Sequence, residues 1–289
     1  MVYTRKNQRN LTSAERRAFV NAVLELKRTG VYDQFVRTHI AFYVSDGSAG
    51  LRVAHMAPSF LPWHRRFLLV FEQALQRVNS RVTLPYWDWT RDNSPASSLW
   101  SDDFMGGNGR RGDFQVMTGP FAYVRGQWEI SVNVTEGRFL TRDMGRPMNP
   151  IRLPTPDDVA RALADPVYDV APWNSTSRTG FRNKIEGWTT GSGEARFRNH
   201  NQVHRWVSGI MVGAAAVNDP VFWLHHAYID SLWSRWQAAH PRSKRYLPEE
   251  PPPEGDPQHG RVAALRELLP PFDVAPSTLL DHSRIYRYA

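Results

Sequence analysis

Two clusters of histidine in a chain of 289 residues without cysteine limit what this protein can be. The clusters are His39, His55 and His64 in the first quarter, and His200, His204, His225 and His226 well past the middle. The other three histidines, His240, His259 and His282, stand alone. The lack of cysteine excludes disulfides, iron–sulfur clusters and thiol nucleophiles, so any bound metal must use His, Asp or Glu.

The spacing within the clusters is typical of metal ligands. His200 and His204 are four residues apart in a segment, about 196–208, for which we predict a helix. Residues at this spacing share a helix face, so both imidazoles can reach one ion. His226 lies on a further predicted helix, about 220–239, and can complete a set of three if the two helices pack together.

Six imidazoles in two sets of three restrict the choice of metal. Di-iron bundles need several Glu ligands and Glu-x-x-His pairs, and the sequence has no such pair near these histidines. Magnesium and calcium prefer oxygen ligands, and one catalytic zinc would leave the second set unexplained. Neutral imidazole suits copper, which is also redox-active. The residue types therefore favour two copper ions, with zinc, di-iron and purely structural histidines as alternatives.

The hydrophobic pattern predicts a mainly α fold, a single-domain helical bundle over residues 1–289 with long irregular loops and few short strands. A capping box of Thr12 and Glu15 opens the first helix, and Gly30 ends it. Further helices are predicted over about 32–39, 60–78, 196–208 and 220–239. We expect residues 83–90 to be extended or irregular, and residues 106–156 to form loops that can include a small hairpin. Such bundles bind metals between inward-facing side chains.

The formal net charge of +8 comes from 36 basic and 28 acidic residues. The arginines are scattered, so we do not expect nucleic-acid binding. A solvated basic face or a docking surface for an acidic partner protein explains the charge better. The sequence has no apolar stretch of about 18 residues that could span a bilayer, and no apolar segment near its start that could act as a secretory signal. We therefore expect no membrane association, and a cytoplasmic protein or one exported only through a partner.

Four short segments surround the histidines. They are SFLPWHR at 59–65, LPYWDW at 84–89, HNQVHRW at 200–206 and NDPVFWLHH at 218–226. In this order they resemble the type 3 copper proteins, most closely the bacterial tyrosinases of actinomycete type, and the resemblance covers nearly the whole chain. It implies a dinuclear copper site that binds dioxygen and oxidises small phenols or o-aminophenols to quinones, in pigment or secondary-metabolite biosynthesis.

The resemblance also implies which residues bind copper. The first ion would be bound by His39, His55 and His64, and the second by His200, His204 and His226. The family uses the second histidine of the adjacent pair, so His225 becomes a neighbour of the site. Phe222 would pack against a ligand ring. Asp230 and Asn218 are candidates for orienting imidazoles through hydrogen bonds, with helix and turn capping as the alternative.

Further residues concern the substrate. Glu186 and Asn201 resemble the pair that positions a water molecule to deprotonate a monophenol, and Arg205 is a candidate pocket residue. Ile40 stands where close bacterial relatives usually carry Asn, which predicts a more apolar rim at the first copper ion. The segment TTGSGEAR at 189–196 lengthens a loop that is short in those relatives.

Three functions remain open, and these departures favour considering the second. The first is a tyrosinase-like oxidase that converts monophenols and o-diphenols to o-quinones. The second is an o-aminophenol or catechol oxidase with little or no monophenol hydroxylation, and the third is a non-catalytic dioxygen carrier on the same site. Because actinomycete relatives use a small caddie protein that delivers copper, the resemblance also implies such a partner.

Overall fold

The computed structural model describes residues 2–289 and is mainly helical, as predicted. Its helices are α1 (Ser13–Arg28), α2 (Val31–Phe42), α3 (Phe60–Val78), α4 (Pro156–Leu163), α5 (Phe181–Glu186), α6 (Asn199–Val207) and α7 (Val221–Ala239). Two short strands, β1 (Tyr3–Arg5) and β2 (Tyr286–Tyr288), pair in parallel, with Tyr3 opposite Tyr286. Within this part of the chain, none of the helices combines the length and apolar character needed to cross a membrane. That residues 1–289 form one domain stays a prediction.

The helix boundaries follow local signals closely. The Thr12 hydroxyl accepts a hydrogen bond from the Glu15 backbone N–H, and the Glu15 carboxylate accepts one from the Thr12 N–H, which confirms the capping box. Gly30 adopts a positive φ of 74° between α1 and α2. Helix α3 has the predicted bounds. Helix α6 begins at Asn199, later than predicted, because residues 193–196 form a separate 3-10 turn and Arg198 is extended.

Three elements were not predicted. Helix α4 starts with a second capping box, formed by Thr155 and Asp158, and this signal was present in the sequence. Helix α5 has only six residues, too few for a helical hydrophobic pattern to be recognised. The pairing of β1 with β2 joins the two ends of the described chain, which no local pattern reveals. Residues 106–156 contain isolated antiparallel bridges, between Gly109 and Val116 and between Gln115 and Thr141, instead of a hairpin with regular strands.

Helices α3 and α7 form the centre of the core. Helix α3 packs against α1, α5 and α7, and α7 also contacts α4 and α6. The two central helices meet through flat aromatic contacts, since the rings of Phe71 and Trp223 stack with centroids 3.6 Å apart. Helix α7 is buried almost all round, as expected for a helix inside a core. This arrangement places His64 and His226 inside the protein.

Asp230 on α7 lies at the centre of a buried polar cluster, named here the Asp230 cluster, that joins both chain ends to the core. Its Oδ1 accepts a hydrogen bond from Arg65 Nε at 2.6 Å, which links α7 to α3. Its Oδ2 accepts hydrogen bonds from the hydroxyls of Tyr286 and Tyr288 in β2, at 2.7 and 2.6 Å. Arg5 of β1 lies 3.5 Å from the same oxygen. The prediction that Asp230 orients an imidazole is therefore wrong, because its carboxylate is engaged by arginines and tyrosines.

Replacement of Asp230 by Asn should strongly destabilise the fold. It removes the only ion-pair partner of Arg65 among the described residues and leaves that guanidinium charged and buried. We expect a loss of about 3–5 kcal/mol in the free energy of unfolding, measured by urea denaturation at pH 7. The matched control is Asp113→Asn, which breaks an exposed pair with Arg110 and should change the free energy of unfolding far less, because solvent screens that pair. Equal losses in the two variants would contradict this role.

The same stabilisation should depend on pH. Burial alone would raise the pKa of Asp230, but Arg65 and Arg5 lower it to about 2. An unfolded aspartate has a pKa of about 3.9. The stabilisation is therefore present above that value and is lost as the pH falls toward 2.

Candidate metal centre

The first histidine cluster combines two helices and the loop between them. His39 lies on α2, His55 lies in the following loop, and His64 lies in the second turn of α3. One ring nitrogen from each approaches the others within 4.8 Å. All three side chains are buried. The structure thus brings together the three residues that the sequence predicted as one set.

The second cluster is formed by α6 and α7. His200 and His204 lie on one face of α6, as their spacing predicted, and His226 lies on α7. The Nε2 atom of His226 is 3.3 Å from the Nε2 atoms of both His200 and His204. Imidazole nitrogens bind a first-row ion at about 2.0–2.1 Å, which at tetrahedral angles separates two ligand nitrogens by about 3.3 Å. His226 therefore has the separation from each of the other two nitrogens that one shared ion requires, and all three lie within 4.8 Å of one another.

The two clusters are neighbours. The rings of His64 and His226 stack, with centroids 4.3 Å apart and an interplanar angle of 17°. His55 and His200 also approach each other, with ring centroids 6.2 Å apart. Because α3 and α7 pack directly together, the two ligand sets lie close enough to form one dinuclear site.

Backbone carbonyls fix the orientation of three rings. In each ring, Nδ1 lies within hydrogen-bonding distance of a backbone carbonyl oxygen. The distances are 2.7 Å from His39 to Ala214, 2.9 Å from His64 to Phe60, and 2.7 Å from His204 to Met211. Each Nδ1 must carry the proton, since a carbonyl oxygen only accepts hydrogen bonds. The Nε2 lone pair of each ring is then free. Metal-binding histidines commonly donate their second N–H in this way.

Several of these lone pairs have no hydrogen-bond donor to face them. The Nε2 atoms of His39 and His64 are buried and lack a hydrogen-bond partner within residues 2–289. In the second cluster, His200 Nδ1 donates to Asn201 Oδ1 at 3.0 Å, so the His200 and His204 Nε2 lone pairs both face His226. The Nε2 of His226 can donate to only one of them. A bound cation would satisfy these acceptors, which are costly to bury unpaired.

Burial also keeps the rings neutral. Desolvation lowers the pKa of His39 and of His204 to about 4, and it lowers the pKa values of His55, His64, His200 and His226 well below their usual range. Neutral imidazole is the form that binds metal ions. The donor set of six neutral imidazoles, with no carboxylate among them, suits copper.

The adjacent residues His225 and His226 differ in their tautomers. Trp89 Nε1 donates a hydrogen bond to His225 Nδ1 at 3.2 Å, and an indole N–H can only donate. Neutral His225 must therefore carry its own proton on Nε2, which leaves that atom no lone pair for a metal ion. Its ring stacks on His200, with centroids 5.1 Å apart. This geometry supports His226 as the ligand and His225 as its neighbour.

Two further predictions have opposite outcomes. Phe222 is fully buried, and its ring lies 4.1 Å from that of His226 and 5.1 Å from that of His39, so it packs against two of the histidines predicted to bind copper. The Asn218 amide donates to the carbonyl oxygens of Val132 and Ala215, at 2.8 and 3.2 Å. Asn218 therefore stabilises a turn, and the prediction that it orients an imidazole is wrong.

A cavity of about 80 Å³ opens onto both clusters. Its lining includes His39, His55, His200 and His204 together with Tyr43, Met56, Trp188, Phe197, Asn201, Arg205, Met211, Val212 and Gly213. Arg205 and Asn201 thus lie at the pocket, as predicted. Ile40 packs against the hydrophobic core and is not part of this lining, so the predicted apolar rim at Ile40 is wrong. The residue after His39 points about 100° away from it around the helix.

Glu186 lies fully buried behind the cavity wall. Its Oε1 accepts a hydrogen bond from the Met56 backbone N–H at 2.6 Å, and its Oε2 accepts one from Arg182 Nη1 at 3.0 Å. Burial raises the pKa of Glu186, while the Arg182 charge opposes this shift. Asn201 faces the cavity, and its Nδ2 is buried without a hydrogen-bond partner in the described chain.

Sequence reasoning missed the residues that support Glu186. The Arg182 guanidinium is fully buried and also pairs with Asp169, at 2.7 and 3.0 Å. It missed Trp188 and Phe197 as well, which flank segment 189–196 and line the cavity. The aromatic residues at both ends of that segment were the one available signal. The Arg182 pairs are contacts in three dimensions that no local pattern indicates.

Comparisons with known proteins agree with this geometry. Residues 29–239 match the common central domain of tyrosinase. The chain is 52% identical over 285 residues to a tyrosinase from Streptomyces antibioticus, and the alignment covers 98% of each protein. It is 45% identical over 314 aligned positions to grixazone synthase from Streptomyces griseus, covering 100% of this chain and 99% of that protein. A polyphenol oxidase from Thermothelomyces thermophila shares the fold, with a TM-score of 0.71 at 24% identity over 100% of this chain and 89% of that one.

A helical core with two adjacent sets of buried histidines, matched along its whole length by phenol oxidases, defines a type 3 copper protein. The chain belongs to the tyrosinase family. It is a copper-dependent phenol oxidase with a dinuclear site, and members of this family act on phenolic substrates with dioxygen. The prediction of two copper ions is confirmed over the zinc, di-iron and purely structural alternatives.

Copper content should distinguish ligands from neighbouring histidines. We expect His204→Ala and His226→Ala each to lower bound copper from about two ions to about one ion per chain, since each removes one of three nitrogens at one ion. His225→Ala and His240→Ala should retain two, because His225 offers no free Nε2 lone pair and the His240 ring bonds the Leu163 carbonyl. Inductively coupled plasma mass spectrometry of dialysed protein measures the ratio. Equal copper loss in all four variants would refute the assignment.

Proposed function

We propose that this chain oxidises small monophenols and o-diphenols to o-quinones with dioxygen. The copper ions would be bound by two sets of ligands, His39, His55 and His64, and His200, His204 and His226. The observation that carries the proposal is the convergence of these six neutral imidazoles beneath a single cavity. Copper, when bound there, supplies the redox chemistry and the place where dioxygen reacts.

The cavity walls suit a flat aromatic substrate. Trp188, Phe197, Met211 and Val212 provide aromatic and apolar surface, which favours the binding of a phenol ring and excludes water from its faces. Phe222 and the backbone carbonyls hold the imidazoles in fixed orientations. The substrate would therefore meet a preorganised site, so little ordering is needed on binding.

The removal of a proton from a monophenol is assigned to Glu186 and Asn201. We infer that a water molecule held between Asn201 Nδ2 and the Glu186 carboxylate accepts the hydroxyl proton. Asn201 has an unpaired donor at the cavity, and an ionised carboxylate has about four acceptor sites, of which the protein occupies two in Glu186. Burial raises the pKa of Glu186, which makes its carboxylate a better proton acceptor.

An o-aminophenol or catechol oxidase is the second candidate. Two observations favour it: the similarity to a protein named grixazone synthase, and the position of Glu186 behind the cavity wall. A catechol or o-aminophenol already carries oxygen or nitrogen substituents on two adjacent ring carbons. Its oxidation requires the loss of two electrons and two protons and no hydroxylation, so it depends less on a base at the site.

Parallel oxygen-uptake assays separate these candidates. Copper-loaded protein is offered tyrosine, catechol and o-aminophenol, and we expect uptake with all three. Asn201→Ala should lower the rate with tyrosine at least about tenfold more than the rate with catechol, because the proposed role of Asn201 is in the deprotonation that precedes hydroxylation, a step that catechol does not undergo. Copper content of the variant is the control, since Asn201 also contacts His200.

Other outcomes are equally informative. Uptake with catechol and o-aminophenol but none with tyrosine would overturn the first candidate in favour of the second. No uptake with any substrate, at full copper content, would favour a dioxygen carrier. An equal loss of both rates in Asn201→Ala would contradict the role assigned to the water molecule.

We also propose that a small acidic partner protein delivers copper. The ligands are buried beneath a cavity of about 80 Å³, and the formal charge of +8 complements an acidic surface. The copper-free protein alone should therefore take up copper(II) slowly and incompletely, as followed by the metal content of desalted samples. Complete loading with two ions within seconds, without a partner, would contradict this proposal.

A further inference from the structure

Arg205 is the one charged side chain among the described residues that line the cavity. It lies on α6, next to His204, and about a quarter of its side chain is exposed. The remaining lining is aromatic, aliphatic, amide and imidazole, and the imidazoles are neutral at pH 7. Among the side chains of the cavity lining, Arg205 and the group that neutralises it therefore set the charge that a substrate meets, in addition to the charge of the bound copper.

Glu194 is the partner of Arg205. Its Oε2 accepts a hydrogen bond from Arg205 Nε at 2.6 Å, and its Oε1 accepts a second one from Arg205 Nη2. This is the bidentate pairing that holds a guanidinium most firmly. The Glu194 Oε1 also accepts a hydrogen bond from Arg146 Nη1 at 2.8 Å. One carboxylate thus faces two arginines at the mouth of the cavity.

The loop that carries Glu194 is closed at its base. Trp188 and Phe197 form an antiparallel bridge, and the Thr189 N–H donates to the Arg196 carbonyl oxygen at 3.0 Å. Both bridge residues line the cavity, and the Arg205 guanidinium lies 4.4 Å from the centre of the Phe197 ring. Segment 189–196 therefore places Glu194, its one acidic residue, in contact with Arg205, the one charged residue of the cavity lining.

We propose that Glu194 is a positioning residue that sets the charge preference of the substrate cavity. Its carboxylate offsets the positive charge of Arg205 and occupies two donors of its guanidinium, so neutral phenols compete well with phenols that carry a carboxylate. Without Glu194, Arg205 would attract a carboxylate on the substrate. This inference rests on the proposed function, because it concerns the phenols that reach the same site.

The size of the effect follows from Coulomb's law. Because one-third of the Glu194 side chain is exposed, solvent screens its charge. The effective dielectric constant therefore lies between the value for charges near a protein surface and the value for bulk water. Removing one charge from beside Arg205 should change the affinity for an anionic substrate about fivefold, and added salt should reduce the change.

The test uses the isosteric variant Glu194→Gln with two matched catechols, 3-(3,4-dihydroxyphenyl)propionate and its methyl ester. We expect the KM of the anion, divided by that of the ester, to fall about fivefold, while kcat for both stays within about twofold of the unmodified protein. Arg205→Gln should move the ratio in the opposite direction. Glu249→Gln is the control, because it breaks an exposed pair with Lys244 away from the cavity and should leave the ratio unchanged.

The double variant Glu194→Gln/Arg205→Gln should have the same KM ratio of anion to ester as Arg205→Gln alone. The reason is that the effect of Glu194 acts through Arg205. An unchanged KM ratio in Glu194→Gln would overturn the proposal. So would a parallel rise in KM and fall in kcat for both catechols, because that result would mean that Glu194 only holds the loop in place.

A binding measurement separates this inference from the proposed function. Isothermal titration calorimetry of the copper-free protein with the same anion and ester should give a ratio of dissociation constants that shifts about fivefold in Glu194→Gln. This readout needs no turnover. If oxidation fails but the binding ratio shifts, the proposed function is wrong and the role of Glu194 stands. If oxidation proceeds and neither ratio shifts, only the role of Glu194 is refuted.

Discussion

The structure depends on the burial of neutral imidazoles whose lone pairs point at one another. A protein interior normally pairs every polar atom, yet His39 Nε2 and His64 Nε2 have no partner among the described residues. Backbone carbonyls hold the opposite nitrogens, so the rings cannot turn away to relieve this. Without a cation the arrangement costs free energy, and with one it becomes a ligand shell. The helices α3 and α7, which carry the rings, must therefore be held together by other interactions.

Buried arginine–carboxylate pairs provide much of that support. Arg65 with Asp230 joins α3 to α7, and Arg142 with Asp219 anchors the turn before α7 through two hydrogen bonds of 2.7 Å. Arg182 binds Asp169 and Glu186 together beside the cavity. Such pairs are poor sources of net stability but are costly to break, so they fix one arrangement of the helices.

The sequence predicted those parts of the molecule that have local signals. The capping box at Thr12, the bounds of α3 and the shared face of His200 and His204 all depend on residues within a few positions of each other, and all are confirmed. The residue types favoured copper but left zinc and di-iron open, and the family resemblance then favoured copper over both. Asp230, Asn218 and Ile40 were misassigned because their partners lie far away in sequence or on another helix face. The Glu194 contact with Arg205 was missed for the same reason.

The parallel pairing of β1 and β2 has a consequence for the order of folding. Tyr288 contacts Arg5 across 283 positions, and Tyr286 contacts Asp230 across 56, so the strand that completes the Asp230 cluster leaves the ribosome long after the helices it braces. Until that strand is synthesised, Asp230 and the two arginines beside it lack the tyrosine hydroxyls as hydrogen-bond partners and remain partly hydrated. The copper ligands on α3 and α7 can thus come together before the brace that secures them is closed.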